Sequence, residues 1–311
     1  MDVGKANAAL LESWHLDLLS PVRPGSRPKR PRTIGLYLDE VNRFATWLAD
    51  HGRPEDNPGD LADVSHGDVV AWVADLRANA LSPSTIRSRW IALRSLYGWA
   101  AEEDVVPSNP IARVVVPKAE EAAPDVLDDD EINALLDACK GTAFNDRRDL
   151  ALVRLMLASG LRVSEVCGLH LGDVDLRARM VMVTDGKGGR ARAGRFDPAT
   201  AAAIDRYRRQ RGRHRLADRP ELWIGHRGPL SRKGVPSILD KRAALAGLGH
   251  VHPHQLRHTW AHRAKRAGAS SEDLQKLGGW TDPSVMARYG ASLAEERALA
   301  AYDDFDPMRG L

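Results

Sequence analysis

Apolar side chains recur every three or four positions through most of this chain, and that period predicts a mainly helical protein. A first helical pattern runs from about Asn7 to Leu19. The stretch Pro21 to Arg32 then carries Pro, Gly and five basic side chains, which predicts a flexible or extended connection. From Thr33 a second amphipathic run places Ile34, Tyr37, Val41, Phe44 and Leu48 on one face, and Ser65 to Leu76 reads as a third helix. Ser82 and Pro83 suit the N-cap and first turn of a fourth, with Ile86, Trp90, Leu93, Leu96 and Tyr97 along its apolar stripe. Arg87, Arg89 and Arg94 fall largely off that stripe, where they could reach DNA phosphates or base edges or simply face solvent.

The pattern fades between Val116 and Pro124 into Pro-Lys-Ala-Glu-Glu-Ala-Ala-Pro, the composition of an interdomain linker. Residues 1–116 therefore read as a helical domain, 117–124 as the linker and 125–311 as a second domain. In the second domain Asp128 caps a helix through Ile132, Leu135, Leu136 and Cys139, and Gly141 is its stop. Asn145 to Ser159 makes a longer helix closed by Gly160, and Arg162 follows that turn. The single clear β segment is Arg179 to Phe196: Met180 to Thr184 forms one arm, Gly186 to Gly189 the turn with Lys187 at its tip, and Arg190 to Phe196 the return. Helices are predicted again from Asp197-Pro198, over Val235 to Ala246 just after Arg232 and Lys233, from Pro253, over Ser270 to Leu277, and over Pro283 to Tyr289. Ser292 and Glu295 suggest a capping box for a last helix bearing Leu293, Leu299, Tyr302, Phe305 and Met308.

Composition changes this picture in two respects. The net charge of the 311 residues is only +3, but Arg179 to Arg242 holds 17 Lys and Arg against 6 Asp and Glu. A cationic stretch of that kind gains from counterion release beside a polyanion, although a solvated arginine-rich helix over Asp205 to Arg215 would look the same. Cys139 and Cys167 are the sole cysteines, too few for a disulfide framework, and their apolar neighbours predict buried thiols. The most apolar run, Leu150 to Ala158, is interrupted by Arg154 and too short to span a bilayer, so no membrane partner and a cytoplasmic location are expected.

Candidate chemistry collects in the second domain. Tyr289 could act as a nucleophile only with help, because a phenol titrates near pH 10. Guanidiniums such as Arg162 and Arg257 can grip a phosphate bidentately, and a base such as His254 could take the phenolic proton. His254, His258 and His262 share a helical face that could instead suggest a metal site, but no carboxylate or cysteine completes it. Lys187 alone reads as a turn lysine and Trp280 alone as core packing, and the indole N–H of Trp280 could also donate to a phosphate oxygen.

Taken in order, these blocks resemble the tyrosine recombinases, the phage integrase family. Gly160, Leu161, Arg162 and Glu165 match its first arginine turn, and Gly186, Lys187 and Gly188 its hairpin lysine. His254, Leu256, Arg257 and His258 match its His-x-Leu-Arg-His box, and Tyr289 lies nine residues after Trp280, which stands where the family commonly has histidine; Cre-like members also carry tryptophan there. The resemblance implies a helical core-DNA-binding domain and a mixed α/β catalytic domain that close on a duplex as a clamp. It implies Arg162, Lys187, His254, Arg257, Trp280 and Tyr289 as the catalytic set, with Lys187 the general acid, and Glu165 and His258 in support. Arg87, Arg89, Arg94, Arg190, Arg232 and Lys233 are the expected DNA contacts. It further implies strand exchange through a 3′-phosphotyrosine and a Holliday junction without cofactor or metal, by a tetramer, with accessory proteins as further partners; the C-terminal helix either folds back on its own domain or docks on a neighbouring protomer, the common use in the family. The readings from other classes are a type IB topoisomerase, which would relax any plasmid, and a helical DNA-binding regulator, which would never form a covalent complex. Phage integration, chromosome-dimer resolution and plasmid or transposon mobility are all open.

Overall fold

A computed structural model describes residues 3–21, 27–51, 59–116, 124–184, 191–282, 284–292, 294, 298–299 and 301–302. The chain divides into two compact units, Met1–Glu121 and Ala122–Leu311. Of the expected linker only Pro124 lies within the described residues, and the hairpin tip with Lys187 and Arg190 lies outside them.

The first unit is helical: α1 Val3–Leu19, α2 Pro31–Asp50, α3 His66–Ala78 and α4 Pro83–Glu102. α2 starts two positions ahead of Thr33 because Pro31, with φ already fixed near the helical value, fits its first turn. The apolar stripes meet in one core holding Trp14, Val41, Phe44, Trp72, Leu93 and Tyr97, each such side chain contributing about 1.5–3 kcal/mol when fully buried. Two polar side chains inside it find backbone partners. Asn7 donates to the Gly59 carbonyl at 2.8 Å and accepts from the Leu61 amide at 2.9 Å, while the Tyr97 hydroxyl donates to the Leu61 carbonyl at 3.1 Å.

In the second unit α5 Asp129–Asp137 opens on a capping box between Asp128 and Glu131, and α6 Phe144–Ser159 ends where Gly160 turns left-handed at φ 60°. After α7 Val163–Cys167 come three antiparallel strands in the order β1 Val174–Asp175, β2 Met180–Val183, β3 Arg192–Arg195, with Val183 opposite Arg192. The two-residue β1 is too short to show a period of two, which is why the sequence pattern missed it. Then follow α8 Pro198–Arg211, α9 Gly234–Leu245, α10 Pro253–Arg266, α11 Ser271–Gly278 and α12 Ser284–Ser292. Leu152, Leu155, Met156, Val181, Ile204, Tyr207, Trp223 and Leu256 form the core that supports these elements. Of the side chains expected on a last helix, Leu299 and Tyr302 are described and exposed; Leu293, Glu295, Phe305 and Met308 lie outside the described residues.

Two arginines of the cationic stretch serve this fold from inside. Arg211 on α8 donates to the carbonyls of Ala217, Arg219, Glu221 and Leu222 at 2.6–3.1 Å. Arg242 on α9 pairs with Asp149 at 2.7 Å and Asp146 at 2.9 Å and donates to the Ala138 carbonyl, tying α9 to α5 and α6. A buried guanidinium with several acceptors avoids most of the penalty of an unpaired charge. Part of the +3 protein's apparent basic surface is therefore internal wiring. Cys139 is buried and Cys167 half-buried, both free; burial pushes the first thiol up to about 12 and the second to about 11. Among the described residues no helix is long and apolar enough to cross a membrane.

Candidate active site

Two glycine turns build the site's frame. Gly160 closes α6, and Gly278 with Gly279 closes α11, Gly279 being left-handed at φ 65°. Their main-chain carbonyls point at the two candidate arginines. Arg257, on α10 and only 1 % exposed, donates through Nη1 to the Gly160 carbonyl and through Nη2 to the Gly278 carbonyl at 2.6 Å. Arg162, the N-cap of α7, donates from Nη2 to the Gly279 carbonyl at 2.6 Å and from Nη1 to Glu165 Oε1 at 2.9 Å. Glu165 Oε2 also receives the Arg162 backbone N–H at 2.7 Å, so one carboxylate fixes both ends of that residue.

Trp280 follows the second turn and lies with its ring 3.9 Å from the Arg257 guanidinium carbon, within cation–π range. Trp260 stacks on the same ring, centroids 5.9 Å apart. The glycines make room for this pair: a Cβ at Gly160 would sit 2.2 Å from Trp260, and one at Gly278 would sit 1.9 Å from Trp280. Gly278→Ala is therefore expected to lower stability by about 1–3 kcal/mol, the usual range for overpacking. Thermal unfolding of the full chain checks this, and an unchanged Tm would contradict the packing.

Tyr289 on α12 is 1 % exposed and packs against Trp280, ring centroids 6.0 Å apart, in a small cluster with Ala261, Leu274 and Met286. Its hydroxyl meets His258 Nδ1, which accepts the phenolic hydrogen when the imidazole is in its Nε2–H form. His254, exposed in the first turn of α10, stands edge-on to His258 at 4.3 Å. The sequence reading gave the phenolic proton to His254; here the histidine one turn further along α10 makes the contact. Nothing in a His-x-Leu-Arg-His spacing distinguishes the two, because the choice depends on where α12 sets down the phenol.

The electrostatics of the site favour an anion. Burial, and next the neighbouring Arg162 charge, push Arg257 down to about 9, well below the ordinary guanidinium range. The unfolded chain holds that proton more tightly than the fold does, so below about 9 the charge costs stability. A phosphate seated beside the two guanidiniums would offset that cost. Each guanidinium has five N–H donors, and the bonds above use two from each side chain. A pocket of about 760 Å³ beside Arg162 is lined by Arg162, Arg192, Gln275, Lys276, Trp280 and Thr281.

The other expected contact residues fall elsewhere. Arg87 and Arg94 are exposed on α4, Arg94 lying over the Trp90 ring at 5.2 Å, whereas Arg89 is half-buried and pairs with Glu40 at 3.4 Å. Arg232 and Lys233 are exposed just before α9. Two site residues escaped the sequence reading, Trp260 and Arg192, and neither carries a local signal. Arg192 is one arginine among many in a basic stretch until the fold brings it to Glu165 at 2.6 Å.

A helical first unit and a second unit that links two arginines, two histidines, a tryptophan and a tyrosine through contiguous contacts have known relatives. Residues 125–296 match the phage integrase family, and residues 26–104 match the N-terminal SAM-like domain of phage integrases. Tyrosine recombinase XerC of Roseiflexus sp. is 32 % identical over 263 residues, covering 83 % of this chain and 82 % of the relative. XerC of Halalkalibacterium halodurans is 33 % identical over 288 residues, covering 89 % and 92 %. Among solved structures, the Tn1549 transposon integrase in complex with transposon right end DNA aligns with a TM-score of 0.72 at 19 % identity, covering 97 % of this chain and all of that one. The chain belongs to the phage integrase family and is a tyrosine site-specific recombinase.

Proposed function

We propose that this recombinase cuts and rejoins double-stranded DNA with Tyr289 as the nucleophile. The phenolic oxygen attacks the scissile phosphorus, the bond from phosphorus to the 5′ oxygen breaks, and a 3′-phosphotyrosyl link remains. The phenolic proton passes to the histidine pair, His258 first with His254 beside it, and Lys187 protonates the departing 5′ oxygen. Arg162 and Arg257 stabilise the added charge on the non-bridging oxygens, and the Trp280 indole N–H donates to one of them. Because the new phosphodiester to tyrosine keeps the energy of the one it replaces, attack by another 5′ hydroxyl displaces the phenol and reseals the strand without ATP, and this scheme routes no step through a metal. Paired exchanges then pass through a four-way junction held by four protomers, with the C-terminal segment as the contact between them.

In this reading residues 1–116 grip the core of the DNA site, 117–124 link, and 125–311 carry the chemistry. Arg87, Arg89, Arg94, Arg190, Arg232 and Lys233 supply phosphate contacts, so binding weakens steeply with salt. Accessory proteins are compatible with this scheme.

The observation that supports the proposal is the run of contacts from Arg162 at α7's cap through the turn after α11, Arg257 on α10 and Trp280, to Tyr289 on α12, whose hydroxyl meets His258. The test is to incubate the protein with a pool of randomised duplexes, denature it in detergent and sequence what stays attached. Enrichment of one duplex sequence in the covalent fraction is expected. Plasmid relaxation with no enriched sequence would turn the assignment to a topoisomerase, and binding without any covalent fraction would reduce the protein to a DNA-binding regulator.

A further inference from the structure

Arg192 opens β3, five positions after Lys187 in the sequence, and its side chain is only 9 % exposed. Its Nη2 donates to Glu165 Oε2 at 2.6 Å, and its Nη1 donates to the Leu277 carbonyl near the end of α11. Glu165, with its side chain 2 % exposed, therefore sits between two guanidiniums, Arg192 on one oxygen and Arg162 on the other. Arg192 and Arg162 also close over the same turn: a Cβ at Gly279 would lie 3.0 Å from Arg192 Cδ and Nε and 3.4 Å from Arg162 Nη1. One side chain thus ties the β3 end of the hairpin, the carboxylate that orients Arg162, and the turn whose carbonyls hold both arginines.

We infer that Arg192 is a positioning residue for the strand-cleavage reaction, holding Glu165 so that the Arg162 guanidinium is aimed at the non-bridging oxygens of the scissile phosphate. The inference rests on the function proposed above. A carboxylate shared by two cations is held from two sides; without Arg192, Glu165 keeps only its bonds to the backbone and side chain of Arg162 itself, so the pair loses its tie to β3 and to the end of α11 and can shift as a unit. Misplacement of a phosphate-holding group by about 1 Å costs on the order of 100-fold in rate. The effect is confined to the charge on the non-bridging oxygens and leaves protonation of the leaving oxygen alone.

That distinction makes the inference testable with the duplex recovered from the randomised pool, in three forms: unmodified, with a methylphosphonate at the scissile position, and with sulfur replacing the bridging 5′ oxygen. The methylphosphonate removes the negative charge that Arg162 counters, whereas the bridging sulfur leaves without needing a proton. Arg192→Gln is expected to slow adduct formation about 100-fold relative to wild type on the unmodified duplex. The gap should shrink to about 5-fold on the methylphosphonate and persist on the bridging-sulfur duplex, as it should for Arg162→Gln. Arg192→Lys, which keeps the charge but not the planar fork, provides a second variant. A partly unfolded preparation slows all three duplexes equally, so the ratio between them survives a loss of stability. Equal gaps on all three duplexes, or a gap closed by sulfur instead, would overturn the inference. Failure of wild type to form any adduct would instead strike at the proposed function.

Discussion

Tyr289→Phe is expected to fold, to bind DNA with unchanged affinity and to form no detergent-resistant adduct. The ring is 1 % exposed and packed against Trp280, and phenylalanine keeps that packing. What it removes is one hydroxyl and its bond to His258 Nδ1. A hydrogen bond of this type contributes about 0.5–1.5 kcal/mol, a small part of the stability of a domain of this size. The chemical loss is complete, because no other atom of that side chain can form an ester with phosphorus. Denaturing gels after incubation with the recovered duplex measure the adduct, and gel shift under native conditions measures binding. Adducts that persist in this variant would remove Tyr289 from the mechanism.

Arg257→Lys comes next in expected size. A guanidinium spans the Gly160 and Gly278 carbonyls with two coplanar N–H groups and lays its face on Trp280. An ammonium has no planar fork and no flat face. Each buried carbonyl left without a donor costs about 1–3 kcal/mol, so Tm falls as well. The rate of adduct formation is expected to drop about 100- to 1000-fold, the range for removing one donor from a preorganised anion site. Single-turnover cleavage at saturating DNA, measured well below the variant's Tm, isolates this from folding. A Lys variant within about 10-fold of wild type would show that charge suffices and that the fork geometry is incidental.

Much of the site's scaffold was legible because it is encoded locally. Gly160 stops α6, Pro253 fits the first turn of α10, and Gly278 and Gly279 end α11, each within one turn of a residue that matters. The helical core of the first unit followed from period alone, since Val41, Phe44 and Leu48 turn inward together. Contacts across the chain were not legible. Arg242 reads as surface charge yet is held inside by Asp149, 93 positions away, and Arg211 is held by the carbonyls of the irregular segment that follows its own helix, for which periodicity carries no signal. The same holds for Arg192, whose partner Glu165 is 27 positions away, and for the selection of His258 over His254 at the phenol. Periodicity reports which face of an element is buried; it carries no information on which distant acceptor a buried cation finds.

The function proposed for this recombinase stands or falls on where DNA becomes attached. Wild-type protein trapped on the recovered duplex, trimmed with nuclease and digested with protease, would be analysed by mass spectrometry, and the released DNA fragment would be tested for direct end-labelling by a polynucleotide kinase. The expected result is a nucleotide joined through its 3′ phosphate to the peptide containing Tyr289, with a free 5′ hydroxyl on the partner fragment. A nucleotide on any other residue, or a link through a 5′ phosphate, would contradict the account.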